Sequence, residues 1–106
     1  MKKLIYSILF VLCAVCSVQA QSYVFATYNV RNANRSDSIA GNGWGQRYPY
    51  IALQAQFNGF DIFGTQEGKH HQLEDLKNAM PKYDYIGVGR DDGKLKGEFS
   101  AIFYIA

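Results

Sequence analysis

The run Phe60-Asp61-Ile62-Phe63-Gly64-Thr65-Gln66 decides how this chain folds. It is short and apolar, and it starts directly after Asn58-Gly59, a helix C-cap signal. It therefore reads as a buried strand that follows a helix. That helix is Gln46 to Asn58: Tyr48, Ile51, Ala52 and Ala55 fall at helical spacing, and Pro49 suits a first turn. Tyr50, Leu53 and Phe57 form a second stripe, which predicts a helix covered broadly. Further upstream, Ser22 to Val30 mixes β-branched, aromatic and small residues on both faces, which predicts a strand buried between layers. Between them Arg31 to Gly45, rich in Asn, Ser, Asp and Gly, reads as a long loop. Strand, crossover helix, strand is the parallel βαβ unit, with a right-handed connection. The fold class is therefore α/β.

Downstream, Lys69 to Met80 reads as a second helix with Leu73, Leu76 and Met80 on one face, closed by Pro81. Tyr83 to Gly89 reads as a third strand. Asp91-Asp92-Gly93 is a turn, and Glu98 to Ile105 is a fourth strand antiparallel to the third. The chain stops in this strand without turn residues or a polar tail. That predicts an apolar edge left without a partner, and a fragment whose remaining sheet would follow Ala106.

Residues 1–20 read as a secretory signal peptide. Lys2 and Lys3 form the positive start, Leu4 to Val15 an apolar core, and Val18-Gln19-Ala20 a small-residue cleavage site. The apolar run is too short for a stable membrane span. The expected location is secreted or periplasmic. Acylation of Cys16 or Cys13 is the alternative, although Val15 and Leu12 are bulky for that position. Residues 21–106 are then the folded part.

Cleavage changes the arithmetic. Without Lys2 and Lys3 the eleven basic residues become nine, equal to the nine acidic ones. The apparent charge of +2 belongs to the leader, so bulk electrostatics give no argument for nucleic acid or membrane as partner. Both cysteines also lie in the leader, which excludes disulfides, a thiolate nucleophile and a cysteine-rich zinc site.

Two polar residues stand at the ends of the two parallel strands: Asn29 closes the first and Glu67 follows the second. In an open α/β sheet that edge is where ligands bind. A carboxylate there can hold a hard cation such as Mg²⁺, and an amide beside it can orient a water or a phosphate oxygen. Arg90 either reaches a substrate phosphate or belongs, with Asp91 and Asp92, to a solvated hairpin turn. Arg47 reads as structural, as a partner for Asp61. His70 and His71 read as surface residues near the site mouth, Glu98 as a residue of the site rim, and Trp44 as either core or pocket lining.

The pattern as a whole resembles the endonuclease/exonuclease/phosphatase superfamily of metal-dependent phosphoesterases. The residues that carry it are Thr27-Tyr28-Asn29-Val30-Arg31, Trp44 with Arg47, and Asp61-Ile62-Phe63-Gly64-Thr65-Gln66-Glu67 followed by Gln72 and Leu76. Gly87-Val88-Gly89-Arg90-Asp91-Asp92-Gly93 and Glu98-Phe99-Ser100-Ala101-Ile102-Phe103-Tyr104 complete it. The resemblance covers nearly all of residues 21–106, but only the N-terminal portion of the family's domain.

It implies a four-layer α/β sandwich of two packed mixed sheets with outer helices. It implies Glu67 as a metal ligand for Mg²⁺ or Mn²⁺, and Asn29 as a catalytic residue beside the metal and the scissile phosphate. The implied reaction is attack of a water on a phosphodiester or phosphomonoester, the water being activated by a histidine–aspartate pair. That pair and the Asp-x-Asn motif belong to the family's C-terminal half, so the chain is expected to be inactive alone. The substrate classes implied are a small molecule, a sugar phosphate, a lipid head group or a nucleic acid. The alternative is a non-catalytic secreted binding protein on the same sandwich.

Overall fold

The computed structural model describes residues 2–8 and 21–106, and residues 2–8 form a helix. The rest of the expected leader, with Cys13, Cys16 and the cleavage point after Ala20, lies outside the described residues. Among the described residues no helix is long and apolar enough to cross a membrane.

The chain is an α/β protein. Its elements are β1 (Phe25–Asn29), α1 (Arg35–Ile39), α2 (Trp44–Phe57), β2 (Ile62–Gly68), α3 (His70–Ala79), β3 (Tyr83–Ile86) and β4 (Phe99–Ile105). One mixed sheet runs in the order β1-β2-β4-β3. β1 and β2 are parallel across α2, as the βαβ reading requires, and β4 is antiparallel to both its neighbours.

The last strand does not present an open edge. Phe103 of β4 faces Phe63 of β2 on one side and Tyr85 of β3 on the other. The strand that ends the chain is thus central, with its backbone groups paired on both sides. The edges are β1 and β3.

Local chemistry sets the helix boundaries. Gln46 Oε1 accepts from the Gly43 N–H at 3.0 Å, so α2 starts at Trp44, earlier than its apolar spacing implies. Pro49 consequently lies inside the helix, beyond its first turn, and has no N–H to offer the Gly45 carbonyl. At the other end Gly59 takes φ +63°, and Gly59 and Phe60 donate to the carbonyls of Gln56 and Ala55, which closes the helix as its sequence indicates. The stretch read as loop contains α1. Asn34 caps it by accepting from the Asp37 N–H at 2.8 Å, and five residues are too few for an apolar period to register.

The core lies between one face of the sheet and the helices α2 and α3. Phe63, Phe99, Ala101, Phe103 and Tyr83 project from the strands. Ile51, Ala52 and Ala55 meet them from α2, and Leu73, Leu76 and Met80 come from α3 and its C-cap. Phe63 stacks on Phe103 with centroids 5.1 Å apart and meets Tyr83 edge-on at 5.8 Å. Such aromatic pairs add about 0.5–1.5 kcal/mol each beyond their buried area.

Two burial expectations fail for one reason: the described residues cover only one face of each element. Tyr50, Leu53 and Phe57 of α2 are 71%, 61% and 86% exposed, so its second stripe faces out. β1 alternates between exposed and half-buried residues and is not enclosed between layers, with Phe25 exposed. Phe25, Ile62, Ile102 and Ile86 lie on the open face of the sheet.

Candidate functional site

The parallel pairing brings Asn29 and Glu67 to the same end of the sheet. Asn29 ends β1 opposite Gln66, and Glu67 follows Gln66 in β2. The Asn29 amide donates to Glu67 Oε2, so two residues 38 positions apart form one polar pair.

The backbone at Glu67 is what aims its carboxylate. The β2–β4 register shifts between Thr65 and Gly68, and Glu67 takes φ +65°, in the left-handed region. This is a bulge in an otherwise regular ladder. It turns the Glu67 side chain toward the strand end instead of leaving it on a sheet face. Left-handed backbone at a residue other than glycine costs of order 1–2 kcal/mol. Arg31, just past β1, has φ +58° and donates its N–H to Asn29 Oδ1 at 2.9 Å. Asn29 is therefore held at both ends of its amide.

A second layer of contacts fixes the loop behind Asn29. Gln72 is fully buried, yet each end of its amide is used. Its Oε1 accepts from Ala33 N–H at 3.0 Å and from Lys69 N–H at 3.1 Å, while its Nε2 donates to the Arg31 carbonyl at 2.9 Å. Arg47 reaches the same loop from α2. It donates to the carbonyls of Val30 at 2.6 Å, Asn42 at 3.1 Å and Arg31 at 3.2 Å, and its guanidinium lies over the Trp44 ring. Arg47 is structural, as expected, but its partners are these carbonyls and not Asp61. The Asp61 carboxylate instead accepts from the Val24 N–H at 2.7 Å. Trp44 is core, with its indole N–H on Asp75 at 2.8 Å. The sequence signal for Gln72 was its position three residues after the helix cap; the loop it holds comes from a distant part of the chain.

Two clefts flank the Asn29–Glu67 pair. One, of about 790 Å³, lies between β1's end and α2 and includes Tyr28, Asn29, Arg31, Asn42 and Tyr50. The other, of about 530 Å³, is lined by Gln66, Glu67, Arg90, Glu98, Phe99 and Ser100. Arg90 thus shares a cleft with Glu67. Its Nη1 lies 3.5 Å from Glu98 and its Nε 3.6 Å from Asp91. Asp92 acts as a turn residue, accepting from the N–H groups of Lys94 and Lys96. His70 and His71 open α3; His70 Nε2 is 3.6 Å from Glu74, and neither histidine lines the cleft.

The cations near the site differ in availability. Arg31 is bound bidentately by Asp37, at 2.5 and 2.8 Å. The guanidinium holds the Asp37 carboxyl below the usual carboxylate range, and Asp37 in turn raises Arg31. Arg47 is spent on carbonyls. Arg90, with its side chain 71% exposed, is the cation in the Glu67 cleft.

Among the described residues no three His, Cys, Asp or Glu side chains gather into a metal-binding group. The donors at the pair are hard oxygens, from the Glu67 carboxylate and the amides beside it. That set suits a hard divalent cation held through one carboxylate with waters retained.

No family model and no curated protein matches the sequence. Solved structures do. A mannosyl-6-phosphatase of Bacteroides thetaiotaomicron VPI-5482 is 67% identical, with TM-score 0.79, over 80% of this chain and 32% of that one. An endonuclease/exonuclease/phosphatase family protein from Bacteroides thetaiotaomicron is 65% identical, with TM-score 0.81, over 84% of this chain and 33% of that one. An endonuclease/exonuclease/phosphatase from Bacteroides vulgatus is 42% identical, with TM-score 0.74, over 80% of this chain and 32% of that one. The chain spans about a third of the length of these proteins.

Proposed function

We propose, from the premise that the chain is similar in sequence and fold to about a third of an endonuclease/exonuclease/phosphatase family protein, that it carries one wall of a phosphoesterase active site. The observation that supports this most is the Asn29–Glu67 pair at the carboxyl edge of parallel strands, made by a bulge that aims the glutamate. In this reading Glu67 is the residue that holds Mg²⁺ or Mn²⁺. When bound, the metal supplies neutralisation of the charge that develops on the phosphoryl oxygens. Asn29 orients an oxygen of the ester through its amide, and its bond to Glu67 keeps that amide in place. Arg90 binds a non-bridging phosphate oxygen from the opposite wall.

A phosphorylated sugar is the proposed substrate class, because the 67% identical structure is a mannosyl-6-phosphatase. The neutral charge of residues 21–106 supports a small ester over a nucleic acid. Export to the periplasm or exterior rests on the leader-like residues 1–20, with residues 21–106 as the N-terminal part of the domain. The whole domain would then be the four-layer sandwich, its second sheet covering Phe25, Ile62 and Ile102. A chain with one wall of the site does not turn over alone.

The test replaces the matched third of the mannosyl-6-phosphatase with residues 21–106. Phosphate release from mannose 6-phosphate should persist in the chimera, require Mg²⁺ or Mn²⁺, and fall by about 10²-fold or more with Glu67→Ala. Retention of a tenth or more of the activity in that variant would sink the reading. Strong turnover by the 106-residue chain alone, lost with Glu67→Ala, would overturn the inactivity of the isolated chain.

A further inference from the structure

Glu98 makes contacts that the proposed reaction does not account for. Its Oε1 accepts from the Asn32 amide at 2.9 Å, and its Oε2 lies 3.5 Å from Arg90 Nη1. Asn32 follows β1, whereas Arg90 follows β3, so this carboxylate joins two loops from opposite edges of the sheet. The arrangement repeats the one beside it. Glu67 holds Asn29, and three residues further along the same segment Glu98 holds Asn32.

The main chain around Arg90 is fixed independently. Arg90 N–H donates to the Glu98 carbonyl at 3.0 Å, Asp91 N–H to Lys96 at 3.0 Å and Gly89 N–H to Lys94 at 2.8 Å. Gly89 is packed so tightly that a Cβ there would stand 2.2 Å from the Lys96 oxygen. The loop therefore delivers Arg90 to the cleft by its backbone, but the long side chain beyond it is exposed. Two carboxylates, Glu98 and Asp91, lie within ion-pair distance of the guanidinium, at 3.5 and 3.6 Å. Of these, Glu98 is the less exposed, at 28% against 58%, and only Glu98 is itself anchored to the β1 side.

We infer that Glu98 is a positioning residue, which is anchored to the β1 side through Asn32 and holds Arg90 in the cleft beside Glu67 so that the guanidinium takes a phosphate oxyanion. The inference rests on the reading of this cleft as a phosphate-ester site. A guanidinium has five donors in a fixed fork, so those not turned to Glu98 and Asp91 remain for an anion. Holding the fork in place removes the side-chain entropy that an unrestrained arginine would lose on binding. The opposing effect is plain repulsion: a carboxylate near a phosphate weakens binding. The two effects predict opposite signs, which makes the experiment decisive.

Inorganic phosphate is titrated at constant ionic strength into the full 106-residue chain, and the amide resonances of Gly89, Arg90 and Phe99 are followed. The wild type should bind saturably, and Glu98→Gln should raise the dissociation constant about tenfold, the size of one charge-assisted contact. Arg90→Gln, at an exposed position, should weaken binding as much, and adding Glu98→Gln to it should cost no more than twofold further. Unchanged or tighter binding in Glu98→Gln, or additive losses in the double variant, overturns the inference. So does the absence of saturable binding in the wild type. Should Glu98→Gln fail to fold, Asn32→Ala removes the other end of the clamp and should weaken phosphate binding at least threefold; no change would count equally against the inference. Hydrolysis by the chimera that does not depend on Glu67 would defeat the phosphoesterase reading without touching these binding results.

Discussion

Replacing Glu67 by alanine and, separately, by glycine separates the cost of its backbone from the value of its carboxylate. Both variants lose the bond to Asn29. They differ only in whether the residue at φ +65° carries a Cβ. The left-handed conformation costs an L-residue about 1–2 kcal/mol, and alanine keeps that cost while glycine removes it. Against this, glycine makes the unfolded chain more flexible by about 0.4–1 kcal/mol. The glycine variant should therefore be more stable than the alanine variant by roughly 0.5–1 kcal/mol. Trp44 is the single tryptophan and is buried, so its fluorescence reports unfolding in urea directly. With a slope of about 1 kcal/mol per molar urea for a protein this small, the midpoints should differ by about 0.5–1 M. Equal midpoints, or a more stable alanine variant, would refute the idea that the carboxylate is aimed at a cost in backbone energy. Strain kept at a residue that could be glycine is what a functional side chain requires.

Other consequences follow from the supporting shell and from the titrating groups. Gln72→Ala leaves the Ala33 and Lys69 N–H groups and the Arg31 carbonyl without their partner, and should destabilise the chain by about 3 kcal/mol or more in the same urea assay. Asn34→Ala removes the cap of α1 and should cost about 1 kcal/mol, with little change elsewhere in an amide hydrogen-exchange map. Burial raises the phenols of Tyr83 and Tyr85, and the Glu74 carboxylate adds to this at Tyr85. Their folded forms keep the proton longer than the unfolded chain, so their contribution is complete below pH about 10 and is lost as the pH rises further. Absorbance titration should show Tyr83 and Tyr85 ionising late, and Tyr85→Phe should reduce that late phase. The Asp37 carboxyl is depressed by Arg31, so its contribution is present above the usual aspartate value and is lost on acidification. Asp37→Asn should flatten that acid limb of the stability curve.

Much of the site was legible because its signals are local. Asn29 and Glu67 stand at strand ends, and a parallel pairing of those strands brings both to one edge of the sheet. Gly59 marks a helix end by a short-range capping rule, whereas the start of α2 lies two residues earlier than its spacing suggests because Gly43 is the cap. The bulge at Glu67 was not legible, since it depends on how β4 pairs with β2 and its left-handed residue is a glutamate and not a glycine. Nor were the partners of Arg47 or the clamp made by Glu98, because each joins loops that are distant in the chain.

Taken alone, the sequence determined the alternation of the main strands and helices, the Asn58-Gly59 cap, the neutral balance of residues 21–106 and the two polar strand ends. Each of these is set by spacing and propensity over a few residues. The tertiary structure alone decided that the final strand lies in the middle of the sheet. It also decided that only one face of that sheet is covered here, and that Glu67 turns out of its ladder toward Asn29. Strand order and register are long-range choices, fixed by which side chains fill the space under α2 and α3. A period of two reads the same whichever neighbour a strand takes.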